Sequence, residues 1–147
     1  MAVVARGLAG DEEAGHYLIA RDAPVQPELF LSLVGRPLVT VALSLPSQGG
    51  LLVARLVSAL AAALCGVAMA RLAVSTRWVG PLWAVGLIFV QPFFLGHAAT
   101  AMTEPWAALV LAWAIVGFVE RRYLLMTSLI ALGPLARMEV VTLWPFV

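Results

Sequence analysis

The residues best suited to chemistry lie in two stretches far apart in the chain. The first is Asp11-Glu12-Glu13 followed by His16 and Tyr17, the most polar segment present. A carboxylate held at a surface can take a proton from a hydroxyl, or bind a divalent metal together with neighbouring oxygens and an imidazole. On a helix, Glu12 and His16 stand one turn apart and share a face. The plainer explanation is a solvated helix start, because the backbone dipole favours acids in a first turn. The second stretch is Thr103-Glu104-Pro105. Thr can cap, Glu complements the positive helix end and Pro fits the first turn, yet a carboxylate at the margin of hydrocarbon is equally a functional candidate.

Two arginines could serve such acids. Arg55 falls in the first turns of an apolar run, where the helix dipole opposes a cation. It therefore asks for an anionic partner from the outer loop, a lipid headgroup or a bound phosphate, unless it simply snorkels to the headgroups. Arg137, two residues from Glu139, is either half of a neighbour pair or a second phosphate contact. His97 reads as an interfacial histidine. There is no Walker loop, Rossmann glycine pattern, paired-cysteine metal site, Gly-x-Ser-x-Gly elbow or internal repeat. The single cysteine, Cys65, excludes an intrachain disulfide.

The surroundings of these residues are apolar. Of 147 residues 63% are hydrophobic and 12% charged, against about 45–50% and about 25% in soluble domains. Too few polar residues remain to coat a soluble exterior, which disfavours a soluble enzyme, a disordered chain and a nucleic-acid binder. The net charge of +1 comes from nine arginines, with no lysine, against eight acids, so no polyanion partner is implied.

Residues 1–50 hold five of the eight acids and four of the nine prolines, and read as loop with short helices. The first ten residues are too short and too broken for a signal or a span. Residues 29–45 are interrupted by Arg36-Pro37 and read as two interfacial helices. From residue 51 on, apolar runs follow one another, and about 20 helical residues cross a bilayer. Spans are expected at 51–70, at 79–97 with Trp78 and Trp83 as anchors and Pro92 as a tolerated kink, at 98–119 and at 123–136. The run 138–147 stops short of membrane length, which implies a fragment or a reading frame cut at its end.

Arg71 and Arg77 border one short break and Glu120-Arg121-Arg122 forms another, two spans later. They share a side, and the positive-inside rule makes it cytoplasmic. Glu104 and the acidic residues 1–50 then face outward. The expected fold is all-α: a polytopic transmembrane helical bundle with an extracytoplasmic loop bearing short interfacial helices, in the cell membrane.

Taken in order, these pieces resemble the amino-terminal part of a GT-C class integral membrane glycosyltransferase. The likeness rests on Asp11-Glu12 with Tyr17 and Ala20 following, and on Arg36-Pro37-Leu38 before a span opening Ala54-Arg55-Leu56-Val57-Ser58-Ala59-Leu60. It continues with Thr103-Glu104-Pro105 and with Leu135-Ala136-Arg137-Met138-Glu139, so it covers residues 11–139. Three features depart from the family: no helix precedes the Asp-Glu loop, fewer spans follow it, and Met138 stands where proline is usual. The resemblance implies transfer of a sugar from a polyprenyl-phosphate donor to an acceptor hydroxyl at the outer membrane face, with a divalent metal as one option for the assembly. Asp11 would be general base or acceptor-positioning carboxylate and Glu104 a second acid. Arg55 and Arg137 would meet the lipid phosphate, with Glu12 and His16 as further substrate contacts. The competing class is a non-catalytic multipass protein, a transporter segment or assembly subunit. A transporter should carry charge near the middle of its spans, whereas here charge gathers at their margins.

Overall fold

The computed structural model describes residues 10–146, with side chains through residue 142. Residues 1–9, and with them the reading that they hold neither signal nor span, lie outside the described residues. Among those described there is no strand. Seven α-helices follow in order: α1 (Asp11–Asp22), α2 (Pro37–Ser44), α3 (Leu51–Thr76), α4 (Pro81–Val90), α5 (Pro92–Ala98), α6 (Glu104–Val119) and α7 (Tyr123–Ala136). Three 3₁₀ segments, Pro27–Leu31, Pro46–Gly49 and Met138–Phe146, fill the connections. Six of the seven helices carry proline in the first turn or glycine immediately before it, residues that begin a helix without losing a bond.

The central helix is α3. At 26 residues with mean hydropathy 2.2 it is long and apolar enough to cross a membrane. Its buried positions are small ones: Ala54, Ser58, Ala61, Ala62, Cys65, Gly66 and Ala68. Its large apolar side chains, Leu52, Leu56, Leu60, Leu64 and Val67, are exposed. A soluble helix does the reverse, because large side chains stabilise most when removed from water. Small residues at the contact and large ones outward are what helices surrounded by lipid use, since close backbone approach then drives association. α6 and α4 pack against α3, and α7 packs against α6. At the α6–α7 contact, a Cβ on Gly117 would stand 3.1 Å from the Met126 backbone nitrogen, so any larger residue would press the two helices apart by a few tenths of an ångström.

The helix boundaries differ from the sequence expectation in four places, each for a local reason. α3 runs on to Thr76 and ends where Arg77 turns left-handed at φ 57°. The second apolar run is two helices, α4 and α5, bent by 83°, a much larger change than a tolerated kink. Pro92 disfavours helical backbone at Gln91, whose ψ is 116°, and the bend seats Phe94 and Ala98 on Ala62 and Cys65 of α3. The third run becomes helical only at Glu104, because residues 99–103 form a turn whose backbone serves α1, as described below. Residues 138–146 are 3₁₀ rather than the start of a membrane helix. Arg137 is extended, and Val140 folds back into the hollow left by the missing side chain of Gly133.

Charge sits at two ends of this bundle. At one, Arg71 on α3 is bidentate to Glu120 after α6, which also meets Arg122. At the other lie Arg55, α1 and the start of α6. From Arg55 to Arg71 the helical rise is about 24 Å, close to the ~30 Å of a hydrocarbon core.

Candidate active site

Glu13 fixes α1 to the rest of the molecule. On a helix it shares a face with Tyr17 and Ala20, and all three are buried. Arg55 donates from Nε to Glu13 Oε1 at 2.8 Å and from Nη2 to Oε2 at 2.7 Å. The Ala101 backbone N–H donates to Oε1 at 2.9 Å. The Glu13 side chain is fully enclosed, where an unpaired carboxylate would cost many kcal/mol and would have to neutralise. The sequence placed Arg55 near an anion; that anion is Glu13, and Arg55 lies outside the lining of the cleft described next. Glu13 itself was not picked out as a site residue, although its i, i+4, i+7 spacing with Tyr17 and Ala20 marks it as the acid facing the core.

With Glu13 turned inward, Asp11, Glu12 and His16 face the other way. They line a cleft of about 570 Å³ together with Arg36, Met102, Thr103, Glu104, Arg137 and Met138. Four separate elements thus bring three carboxylates, one imidazole and two guanidiniums to one opening. Asp11 and Glu104, 93 positions apart, share it. Asp11 and Glu12 are exposed at the mouth; His16, Arg36, Glu104 and Arg137 are half-buried.

Within the cleft, Arg137 Nη1 donates to Glu104 Oε1 at 2.8 Å, while its Nε lies 3.4 Å from Glu139. Glu104 Oε2 is buried and has no hydrogen-bond partner, and the same holds for His16 Nδ1. Burial lowers the proton affinity of His16 below the ordinary imidazole value; Glu104 opposes this, Arg36 adds to it and Glu12 opposes it. Among the described residues Arg36 forms no ion pair. Its backbone is left-handed, with φ 59° and ψ 107°, a strained setting for a non-glycine residue before proline. Gly35 makes this possible: a Cβ there would stand 2.5 Å from Ile19 Cγ2 and 2.7 Å from Thr40 Oγ1. The sequence treated Arg36-Pro37 as a helix interruption; the signal for more was an arginine fixed next to a proline.

One further hollow borders the cleft, and a separate apolar groove is carried on some of the same helices. Asp11, Glu12 and Met102 also line an opening of about 420 Å³ that continues to His97 and Thr100, so this carboxylate pair stands between two openings. His97 gives its Nδ1 to the Phe93 carbonyl at 2.7 Å. Leu38, Leu64, Trp106, Leu109, Val110, Trp113, Leu125, Leu129 and Leu132, none of which lines the cleft, form a wholly apolar groove of about 410 Å³. Residues 106, 109, 110 and 113 form one stripe of α6 and 125, 129 and 132 one stripe of α7, each about 10 Å long. α2 and α6 each follow a charged cleft residue, Arg36 or Glu104, with an apolar groove residue two positions on, Leu38 or Trp106.

Among the described residues no three His, Cys, Asp or Glu side chains come together to hold a metal ion. No family model, curated protein or solved structure matches the chain.

Proposed function

We propose that the chain is a polytopic membrane glycosyltransferase that moves a sugar from a polyprenyl-phosphate donor to an acceptor hydroxyl at the non-cytoplasmic face of the cell membrane. The observation carrying this reading is the convergence of Asp11, Glu12, His16, Arg36, Glu104 and Arg137 in one cleft, with an apolar groove supplied by the same α2 and α6 segments. A lipid-linked donor has a charged head joined to a long apolar tail, and cleft and groove offer both environments in sequence. Arg36 and Arg137 can meet the phosphate and stabilise the charge it gains as the sugar leaves. Asp11, at the boundary of the two openings, accepts a hydrogen bond from the acceptor hydroxyl and aims it.

The multipass reading is supported by the two layers of charge and the apolar side chains exposed between them, with α3 long enough to cross, α4 and α5 as a broken span and α6 and α7 as shorter apolar helices. In this reading the positive-inside rule assigns the opposite end, with Arg71, Arg77, Arg121 and Arg122, to the cytoplasm. The test is direct: membranes with and without the protein are supplied with radiolabelled polyprenyl-phosphate sugar, and only the former should yield glycosylated product. Asp11→Asn should lower turnover about tenfold or more, the loss expected for a hydrogen bond to a charged group, with membrane insertion normal. Near-normal turnover would remove Asp11 from the mechanism.

A further inference from the structure

Two buried polar atoms of the cleft, His16 Nδ1 and Glu104 Oε2, have no partner, and they belong to side chains from different elements lining the same cavity. Withdrawing such an atom from water without a partner is costly. A pair of them in one cleft points to a role that begins when something else arrives.

The charges acting on the imidazole come from three directions: Glu12 on its own helix, Arg36 from the loop ahead of α2, and Glu104 on α6. Arg137, which also lines the cleft, is engaged with Glu104. Burial is the largest influence and keeps the ring neutral near pH 7. A neutral imidazole has a free lone pair, the requirement for accepting a proton. Once protonated, the ring has the Glu104 carboxylate as its counter-charge. Because Arg137 holds Oε1, that carboxylate is fixed in place rather than free to swing away.

We propose that His16 is the catalytic base of the cleft, taking the proton from the acceptor hydroxyl, with Glu104 as the positioning residue that stabilises the resulting imidazolium. This rests on the transfer reading above and gives Asp11 the task of aiming the hydroxyl rather than deprotonating it. In the step, the hydroxyl oxygen forms a bond to the anomeric carbon of the donor sugar. The bond from that carbon to the lipid phosphate oxygen breaks, and its electron pair leaves with the phosphate toward Arg36. The hydroxyl proton passes to the His16 ring and then to water.

The experiment is a pH series, from 5 to 8.5, of sugar transfer by membranes carrying the wild type, His16→Gln, Glu104→Gln or Asp11→Asn. Wild-type transfer should fall at the acid side as His16 becomes protonated. In His16→Gln the rate should drop about a hundredfold and the acid limb should vanish. In Glu104→Gln the limb should remain but move to lower pH, because the carboxylate that raises proton affinity is gone. In Asp11→Asn the rate should fall with the limb in place, a contrast that a purely structural His16 would not produce. His16→Gln with near-normal turnover, or with its acid limb intact, overturns the assignment and leaves the transfer reading standing. No transfer by the wild type removes both. An ¹⁵N-histidine titration by NMR in lipid nanodiscs adds a readout without turnover. His16 should protonate below the ordinary range, and lower still in Glu104→Gln. A free-imidazole titration indifferent to Glu104 would contradict the arrangement.

Discussion

Two Glu–Arg pairs stand side by side at the same end of the bundle, and they are built to opposite specifications. Glu13 is fully enclosed and gives both oxygens to Arg55 and one of them also to the Ala101 N–H. Glu104 gives one oxygen to Arg137 and keeps the other buried without a partner. The first arrangement is complete and ties α1 to α3 and to the turn before α6. The second is incomplete and faces a cavity. A carboxylate whose bonds are all satisfied holds the fold, whereas one held at a single oxygen beside an imidazole and an unpaired arginine is available to a ligand. Residue type alone does not separate the two roles; the number of satisfied atoms does.

Breaking the complete pair should have the largest effect. Glu13→Ala removes the carboxylate that Arg55 and the Ala101 N–H share, and loss of about 3–5 kcal/mol is expected, the range for removing one partner of a buried ion pair. Unfolding in detergent micelles measures it. Glu13→Leu combined with Arg55→Met should recover most of that loss, because no charge is then left stranded. If the double variant is no better than the single ones, the pair does more than hold the helices together.

Next in size is the loop that carries Arg36. Gly35→Ala drives a methyl into Ile19 and Thr40, and overpacking of this kind costs about 1–3 kcal/mol. The displacement should also move Arg36 out of the cleft, so sugar transfer should fall further than stability does. A variant with normal transfer would show that Arg36 does not need its left-handed setting.

A smaller effect comes from His16 and depends on pH. Burial lowers its proton affinity in the folded state, so between the folded and unfolded values the unfolded chain binds more protons. Stability is therefore full above the ordinary imidazole range, falls as the pH drops through it, and levels off once folded His16 is protonated too. Unfolding midpoints at pH 7.5 and 5.5 should differ by more in the wild type than in His16→Gln. An equal difference in both would show that burial does not govern His16.

The least effect is expected at the opposite end. Half-buried Glu120 accepts at both oxygens from Arg71 and makes a further contact to Arg122, but both arginines are exposed, and pairs with exposed partners contribute little. Glu120→Gln should leave the unfolding midpoint unchanged within error. A marked loss would mean that this end is as enclosed as the Glu13 end.

The sequence shows the helical class readily, because apolar runs separated by short polar breaks have few other solutions. It shows four of the cleft residues by their chemistry: Asp11, Glu12, His16 and Glu104, with Arg137 following from its spacing to Glu139. What it hides depends on tertiary contact. The 83° bend at Pro92 exists because Phe94 and Ala98 find Ala62 and Cys65. The start of α6 at Glu104 exists because the preceding turn serves Glu13. Arg55 is the clearest example: its need for an anion was legible, but the choice among outer loop, lipid and phosphate was settled only by which acid faces inward. Arg36 was hidden in another way, since a residue before proline reads first as a break in a helix.

The account stands on one spatial statement, that residues 11 and 104 open to the same side of the membrane and the arginine-bearing breaks to the other. Single-cysteine variants Asp11→Cys, Glu104→Cys, Arg77→Cys and Arg121→Cys, each made with Cys65→Ala, can be treated with a membrane-impermeant maleimide in sealed vesicles of known orientation. Labelling of positions 11 and 104 from the outside and of 77 and 121 from the inside is the expected result. Labelling of 11 and 104 from opposite faces would contradict the shared cleft and the proposed chemistry with it.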